Sequence, residues 1–163
     1  MNPLHLVPND PQPQPVVLYV DDDPANRQAF QATFRKHFVL RTASGLEEAW
    51  AWLGRGGIDV IITDQRMPGV CGSELLALVR ERHPRVKRML MTGCTDVQAL
   101  IDAVNRGGMS HYLSKPWDPD EVIRAVTQAH QELRQERDQV AFTEQLVESN
   151  RQLEFALRQR LLS

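Results

Sequence analysis

Residues 16–24 have the sequence VVLYVDDDP, in which an uninterrupted apolar run leads directly into three aspartates and a proline. A short apolar run that ends in turn-forming residues is typical of a strand buried on both faces. Asp23 followed by Pro24 combines a helix N-cap with a proline at the first helical position. The stretch therefore predicts a buried strand, an acidic turn and a helix.

The rest of the chain continues this alternation of short apolar runs and amphipathic segments. The apolar runs predict five strands, at Val16–Val20, Phe38–Thr42, Ile58–Thr63, Arg88–Thr92 and His111–Leu113. Capping signals open three of the helical segments, at Ser44-x-x-Glu47, Thr95-x-x-Gln98 and Asp118-Pro119-Asp120-Glu121. Parallel neighbours need crossover connections, so the alternation implies an α/β fold with a parallel sheet covered on both faces. Periodicity alone leaves the order of the strands open.

Composition limits the classes of protein to which the chain can belong. Its 163 residues suffice for one α/β domain, and 42% hydrophobic with 25% charged residues is typical of a globular protein. A net charge of -2 argues against direct binding of nucleic acid. Cys71 and Cys94 lack the spacing of a zinc site or a disulfide framework. No signal peptide and no long apolar run is present, so we expect a cytoplasmic protein without a membrane anchor.

Two segments lie outside the alternating pattern. Residues 1–15 are rich in proline, which opposes both a helix and a regular strand, and we expect a disordered arm there. Residues 16–130 are predicted to form the α/β domain. From Pro119 to about Leu161 the helical pattern continues without Gly or Pro, so residues 131–163 are predicted to extend the last helix beyond the domain.

The helical extension carries apolar residues at heptad spacing. One stripe consists of Val126, Ala129, Leu133, Val140, Val147, Leu157 and Leu161, and polar residues interrupt it at Glu136, Thr143, Asn150 and Glu154. A second stripe of Phe142, Leu146, Leu153 and Ala156 indicates a shift in register. We expect a parallel coiled coil, and hence a homodimer, from about residue 130 to residue 161. A solvated single helix is the alternative.

Polar side chains stand where the predicted strands end. They are Asp21, Asp22 and Asp23 after the first strand, Asp64 after the third, Thr92 at the end of the fourth, and Lys115 with Pro116 after the fifth. Carboxylates that meet in one crevice repel each other unless a cation offsets their charge. Oxygen ligands suit Mg²⁺, with Mn²⁺ as the alternative ion. The pattern predicts a divalent-cation site at the carboxyl edge of the sheet.

Four stretches resemble the signature stretches of response-regulator receiver domains of two-component signalling systems. They are YVDDDP at 19–24, TDQRMPG at 63–69, MTG at 91–93 and YLSKPW at 112–117, and the match covers about residues 16–130. The resemblance implies a flavodoxin-like strand order, 2-1-3-4-5. It also implies a phosphoacceptor at Asp64, and a histidine kinase or phosphotransfer protein as its partner in a phosphorelay. Such a protein catalyses its own phosphorylation and loses the group slowly, unlike a metabolic enzyme.

The same resemblance assigns roles to the residues at the strand ends. Asp64 would attack phosphorus as a carboxylate nucleophile. Asp22 and Asp64 would bind Mg²⁺ directly, Asp21 through a water molecule, and Arg66 through its backbone carbonyl. Lys115 would place its ammonium group against a phosphoryl oxygen.

Further roles follow from the resemblance for residues around the crevice. Thr92 would donate its hydroxyl to the phosphoryl group, and Tyr112 would swing inward in response, although a half-buried strand tyrosine is the alternative. Pro116 resembles the family's proline that follows a cis peptide bond. Arg66 and Cys94 occupy positions that border the route of the hydrolytic water, where they would tune the lifetime of the phosphoryl group.

Two other functions remain open from the sequence. Asp21-x-Asp23 after a strand also resembles the nucleophile motif of Mg²⁺-dependent phosphatases of the haloacid-dehalogenase type, although that function leaves Asp64 without a role. The other is a non-phosphorylated interaction module that assembles only through its helix. The receiver stretches are similar to those that precede an output module, and none follows in this sequence. A stand-alone regulator and a piece of a larger protein both fit.

Overall fold

The computed structural model describes residues 13–93 and 97–162 of the chain. Strands and helices alternate along the chain, as predicted. The elements are β1 (Val16–Val20), α1 (Pro24–Phe34), β2 (Val39–Ala43), α2 (Leu46–Arg55), β3 (Val60–Asp64), α3 (Gly72–Arg82), β4 (Lys87–Thr92), α4 (Val97–Asn105), β5 (His111–Ser114) and α5 (Pro119–Leu161). The predicted first strand has the bounds of β1, and the other four differ from the observed strands by at most two residues at either end.

The five strands form one sheet with the order β2-β1-β3-β4-β5, and every pair of neighbours is parallel. The α/β prediction and the flavodoxin-like order are both confirmed. From β1 the chain first moves to one edge of the sheet, and from β3 onward it moves to the other edge. The order therefore reverses between β1 and β3, and in open α/β sheets ligands bind in the crevice outside the carboxyl ends of the strands at such a reversal.

Side chains of the strands enter two hydrophobic cores, one on each face of the sheet. The first core contains Val17, Tyr19, Phe30, Phe34, Ile62, Met89 and Val126, so α1 and α5 cover that face. The second contains Leu18, Val20, Ala49, Leu53, Ile61, Leu75 and Leu90, so α2 and α3 cover the other. Burial on both faces explains why the central strands are continuous apolar runs rather than alternating patterns.

Three of the predicted helix starts lie in the described residues. The Asp23 carboxylate accepts a hydrogen bond from the Ala25 N–H at 2.9 Å, and Asp118 caps α5 in the same way. The capping box predicted at Ser44 and Glu47 is wrong. Gly45 occupies the N-cap of α2, and the Ser44 hydroxyl instead donates to Glu48 at 2.6 Å. The box predicted at Thr95 lies outside the described residues.

The last helix continues far beyond the sheet, as predicted. α5 contains 43 residues, which corresponds to about 65 Å. Val126, Ala129 and Leu133 are buried against the rest of the chain, so the packing extends past the boundary predicted at residue 130. These three side chains also begin the predicted heptad stripe, and their burial makes them unavailable to a partner helix. From residue 135 to residue 162 every residue is exposed.

A group of charged and polar side chains fixes α5 to the amino edge of the sheet, and we call it the anchor cluster. Asp59, which precedes β3 and is buried, lies 3.3 Å from Arg137 and 3.8 Å from His130. Lys87, at the start of β4, pairs with Glu136 at 2.7 Å. The direction in which the helix leaves the domain is therefore set as far as Arg137.

The proposed arm at residues 1–15 lies for the most part outside the described residues. Near its end, Gln14 donates a side-chain hydrogen bond to the Lys36 carbonyl, and the Pro15 carbonyl accepts from the Val39 N–H. These contacts hold the start of β1 beside β2. Among the described helices, none combines the length and the apolar character that crossing a bilayer requires.

Candidate functional site

The predicted site residues meet at the carboxyl edge of the sheet. Asp21 directly follows β1, Asp64 is the last residue of β3, and Thr92 is the last residue of β4. Lys115 follows β5. Because all strands are parallel, these ends lie side by side at the crevice where the strand order reverses.

Three carboxylates form the floor of the crevice. Asp21, Asp22 and Asp64 each present one oxygen atom, and these atoms lie within 4.8 Å of one another. Asp21 and Asp64 are buried, whereas Asp22 is exposed to solvent. Like charges at this distance repel strongly in a partly dry crevice, and a set of oxygen-only donors suits Mg²⁺ or Mn²⁺. The residues present fit a divalent cation.

Lys115 supplies the positive charge that faces the carboxylates. Its Nζ lies 3.0 Å from Asp64 Oδ1 and 3.4 Å from Asp21 Oδ2. The peptide bond between Lys115 and Pro116 is cis. One ammonium group cannot neutralise three carboxylates, so the crevice keeps a negative charge that favours a cation.

Asp21 is held by donors that the sequence analysis did not identify. Its Oδ2 accepts hydrogen bonds from the Tyr19 hydroxyl at 2.7 Å and from Asn26 Nδ2 at 3.1 Å. Its Oδ1 accepts the Asp23 N–H at 3.0 Å. Tyr19 and Asp21 are two residues apart, a spacing that places side chains of an extended chain on the same side, so a tyrosine in an otherwise aliphatic run was the available signal. These bonds occupy Oδ2, which suits a carboxylate that contacts a cation through water.

The environment changes the proton affinity of two groups in the site. Burial raises the pKa of Asp64, and repulsion from Asp21 adds to that effect, while the hydrogen bond and charge of Lys115 oppose it. Burial also raises the pKa of Tyr19 far above its ordinary value, and the hydrogen bond to Asp21 acts in the same direction. Tyr19 therefore remains a protonated donor to Asp21 at all physiological pH values.

The raised pKa of Asp64 predicts a pH-dependent contribution to stability in the absence of divalent cations. The folded protein holds the Asp64 proton more tightly than the unfolded chain does, so the contribution is fully present below the ordinary aspartate pKa. It is lost as the pH rises through the raised pKa. We expect the free energy of unfolding of the wild type, measured in urea with a chelator, to fall relative to Asp64→Asn across this window. A constant difference between the two proteins would contradict the shift.

Two residues of the predicted switch already touch. Thr92 is buried and its hydroxyl donates to the Gly93 carbonyl at 3.2 Å. The Tyr112 hydroxyl donates to the backbone carbonyl of Thr92, also at 3.2 Å, and its ring is half-buried. Arg66 is exposed beside the crevice, and Cys94 lies outside the described residues.

Gln65 is a second residue that the sequence analysis missed. Although polar, it is buried, and its side-chain oxygen accepts the Ser73 N–H at 2.8 Å while its backbone carbonyl accepts the Gly72 N–H at 3.0 Å. Gly72 is also buried, and a Cβ atom there would overlap the carbonyl oxygen of Asp64. The start of α3 is thereby packed directly against the backbone of Asp64.

The sheet order and the acidic crevice define a flavodoxin-like α/β domain whose candidate site combines carboxylates, a threonine and a lysine. Residues 17–127 match the family model of the response regulator receiver domain. The chain belongs to the response regulator receiver domain family.

Several curated bacterial proteins are similar to this chain. The hydrogenase transcriptional regulatory protein HoxA of Cupriavidus necator is 43% identical over 116 residues, which cover 71% of this chain and 24% of that protein. The DNA-binding transcriptional regulator NtrC of Salmonella typhimurium is 34% identical over 127 residues, or 76% of this chain and 27% of NtrC. The C4-dicarboxylate transport transcriptional regulatory protein DctD of Pseudomonas aeruginosa is 35% identical over 161 residues, or 95% of this chain and 31% of DctD. The chain thus spans about a quarter to a third of their length.

Solved structures show the same fold. The signal receiver domain of an HD domain-containing protein from Pseudomonas fluorescens Pf-5 superposes with a TM-score of 0.73 at 31% sequence identity. The superposition covers 77% of this chain and 93% of that one. The receiver domain of the Francisella response regulator 1452 has a TM-score of 0.66 at 26% identity, covering 73% of this chain and 98% of the other.

Proposed function

We propose that this receiver accepts a phosphoryl group on Asp64 from a histidine kinase or a phosphotransfer protein, in a reaction that depends on Mg²⁺. The observation that carries the proposal is the buried Asp64 carboxylate, which lies within 4.8 Å of two further carboxylates and 3.0 Å from Lys115. A nucleophile, ligands for a cation and a fixed positive charge are the groups that phosphoryl transfer requires.

In the proposed reaction a carboxylate oxygen of Asp64 attacks the phosphorus of a phosphohistidine. A P–O bond forms, the P–N bond breaks, and the imidazole nitrogen keeps the electron pair of the broken bond and then takes up a proton. Lys115 moves its charge from the Asp64 carboxylate to a phosphoryl oxygen, where it stabilises the negative charge of the transition state. The Thr92 hydroxyl exchanges its bond to Gly93 for a bond to a second phosphoryl oxygen.

Asp22 and Asp64 would hold Mg²⁺ directly, Asp21 through a water molecule and Arg66 through its backbone carbonyl. When bound there, the ion neutralises charge on the phosphoryl oxygens. The three donors that reach Asp21 Oδ2, from Tyr19, Asn26 and Lys115, support the indirect role of Asp21. The exposure of Asp22 leaves its carboxylate accessible to an entering cation. Mn²⁺, which prefers similar oxygen ligands, would substitute.

The signal would leave the crevice through Thr92 and Tyr112. Because the Tyr112 hydroxyl donates to the Thr92 carbonyl, a movement of Thr92 toward a phosphoryl group changes the surroundings of Tyr112. A phosphate contact that only one packing offers shifts the population toward that packing. Arg66 and Cys94 would set how fast water removes the phosphoryl group.

Incubation with acetyl phosphate and Mg²⁺, followed by measurement of the intact mass, tests the proposal. A persistent gain of one phosphoryl group supports it. An unmodified chain would favour the interaction module. Rapid release of inorganic phosphate would favour the haloacid-dehalogenase-type phosphatase, which family membership already disfavours.

Replacing Asp22 by Ala should weaken Mg²⁺ binding by about tenfold or more, because it removes a directly coordinating carboxylate, and a unit charge even at about 4 Å contributes roughly 1–4 kcal/mol. Without Mg²⁺ the same variant should unfold at an equal or higher urea concentration than the wild type, since repulsion within the cluster falls. Titration of tryptophan fluorescence with Mg²⁺ measures the affinity. Asp23→Asn is the control, because it changes a neighbouring aspartate outside the cluster and asparagine preserves the N-cap of α1. Equal Mg²⁺ affinities of Asp22→Ala and the wild type would contradict the assignment.

We further propose that the exposed part of α5 pairs with a second copy as a parallel coiled coil and transmits the signal to an output module. Exposed apolar side chains along the helix, such as Leu146, Leu153 and Leu157, support this proposal. The relatives are named as transcriptional regulators and extend well beyond the length of this chain. The working protein would act in the cytoplasm, where its kinase or phosphotransfer partner presents the phosphohistidine.

A further inference from the structure

The exposed part of α5 carries its apolar side chains on a different face from the one that packs on the sheet. At ~100° per residue, Leu146 is rotated by about 140° from Leu133, the last side chain buried in the domain. A second helix can therefore lie along the Leu146 face without displacing the packing of the domain. The first heptad stripe continues from Leu133 through Val140 and Val147. It stays on the side of the helix that packs on the sheet, so it does not offer a separate face.

The apolar face has the composition of a short coiled-coil seam. Its members are Phe142, Leu146, Asn150, Leu153 and Leu157, and the four hydrophobic ones are exposed by 60%, 49%, 62% and 60%. Leu146 and Leu153 fall at heptad d positions, and Asn150 and Leu157 at a positions. On the outer side of the helix, Glu148 pairs with Arg151 at 3.6 Å and accepts a hydrogen bond from Gln152. The polar side chains thus satisfy one another away from the seam.

Asn150 is a polar a position within this seam, between Leu146 and Leu153, and Thr143 is the a position one heptad before it. In a parallel pair without stagger, a positions face a positions, so the two Asn150 amides meet and hydrogen-bond to each other. In an antiparallel pair a positions face d positions, and Asn150 would lie against a leucine. A parallel pair shifted by one heptad would set it against Thr143 or Leu157. Each alternative buries an amide without its symmetric partner, which costs free energy.

The flanking positions favour the same arrangement. In a parallel pair without stagger, each g position lies beside the e position five residues later in the other helix. Phe142 then meets Val147 of the second copy, and Ala156 meets Leu161 of the second copy. Both contacts bury apolar side chains that are exposed in the single chain. They add apolar contacts beside the seam near each of its two ends.

We propose that Asn150 specifies a parallel dimer in which the Phe142–Leu157 face of α5 meets the same face of a second copy without stagger. This inference deepens the proposed function, since it names the surface and the register of its coiled coil. Asn150 thereby determines the orientation and register of the pair, although it interrupts the heptad stripe that passes through Val140 and Val147. In this register Val140 and Val147 are e positions, so they flank the seam and do not form its centre.

Sedimentation of the full chain tests which face of α5 forms the dimer contact. Leu153→Ala should raise the dimer dissociation constant by at least about tenfold, since each copy loses a side chain from the seam. Phe155→Ala is the matched control, because Phe155 is exposed by 64% against 62% for Leu153 but lies on the outer side, and it should change the constant by less than about threefold. A monomeric full chain, or equal effects of the two substitutions, would overturn the proposal.

Disulfide cross-linking tests the register in a chain carrying Cys71→Ser and Cys94→Ser. With Thr143→Cys, at an a position, oxidation should link two copies rapidly, whereas Glu148→Cys on the outer side should not. Addition of Asn150→Leu should lower the cross-linking of Thr143→Cys and yield mixed oligomers, because the seam then tolerates other registers. Undiminished cross-linking with a single dimeric species would overturn the role of Asn150. Intact-mass measurement of phosphorylation in Leu153→Ala, which keeps both natural cysteines, reports separately on the function of Asp64.

Discussion

Replacing Asp64 by Asn is expected to abolish phosphorylation by acetyl phosphate or by a phosphohistidine donor while leaving the fold intact. The amide nitrogen and oxygen of asparagine are far weaker nucleophiles than a carboxylate, and the side chain is nearly isosteric. The substitution also removes one negative charge from a cluster that holds three carboxylates and one ammonium, so the protein without Mg²⁺ should unfold at an equal or higher urea concentration.

Intact-mass measurement after incubation with Mg²⁺ and a phosphodonor gives the result directly. Asp59→Asn is the matched control, because Asp59 is buried to a similar degree, at 6% exposure against 8% for Asp64, yet precedes β3 at the opposite end. The control should gain a phosphoryl group as the wild type does. If Asp64→Asn is phosphorylated at the wild-type rate, another residue is the acceptor and the proposed mechanism is wrong.

Shortening the chain at two points should separate stability from assembly. A chain ending at residue 139 keeps Leu133 and the anchor cluster, so its receiver domain should keep its packing and the chain should sediment as a monomer. A chain ending at residue 130 loses the buried Leu133 side chain and the ion pairs of Arg137 and Glu136. Burial of one leucine contributes about 1.5–3 kcal/mol, so the shorter chain should be destabilised by roughly 3 kcal/mol once the ion pairs are included.

Urea unfolding and sedimentation at the same protein concentration provide both measurements. The longer truncation controls for the shorter one, since the two differ only by residues 131–139. A dimeric chain ending at residue 139 would move the interface onto the receiver domain. Equal stability of the two shortened chains would show that α5 beyond His130 does not support the domain.

The sequence predicted the fold well because its local signals agree with one another. The apolar run before Asp21 is short and ends in turn-forming residues, which favours a doubly buried strand, and the N-caps at Asp23 and Asp118 mark where helices begin. The capping box at Ser44 failed, since a serine and a glutamate at the right spacing do not determine which residue takes the N-cap conformation. Gly45 takes it instead, and Ser44 bonds to Glu48.

The site was predicted only where a motif marks it. Asp64 and Lys115 stand at strand ends in recognisable stretches. The tyrosine two residues before Asp21 offered a periodicity signal for one of the Asp21 hydrogen bonds, but the bond from Asn26 depends on where side chains point across the loop before α1, which periodicity does not specify. The role of Leu133 was misjudged for a related reason. Heptad spacing and the spacing of a helix face packed on a sheet differ by only about 0.1 residue per turn, so the pattern does not reveal which partner the stripe meets.

The anchor cluster has a mechanical consequence. β4 runs from Lys87, which forms an ion pair with Glu136, to Thr92 at the crevice. One strand of six residues therefore connects the anchor cluster to the candidate site. The part of α5 beyond Arg137 is a rigid helix about 35 Å long, and the anchor cluster attaches it to the domain. If the axis of α5 tilted by only ~5° at the anchor cluster, the end of the helix would move by about 3 Å, which is the rise of two helical residues. A small displacement of β4 would therefore produce a larger displacement at the end of α5.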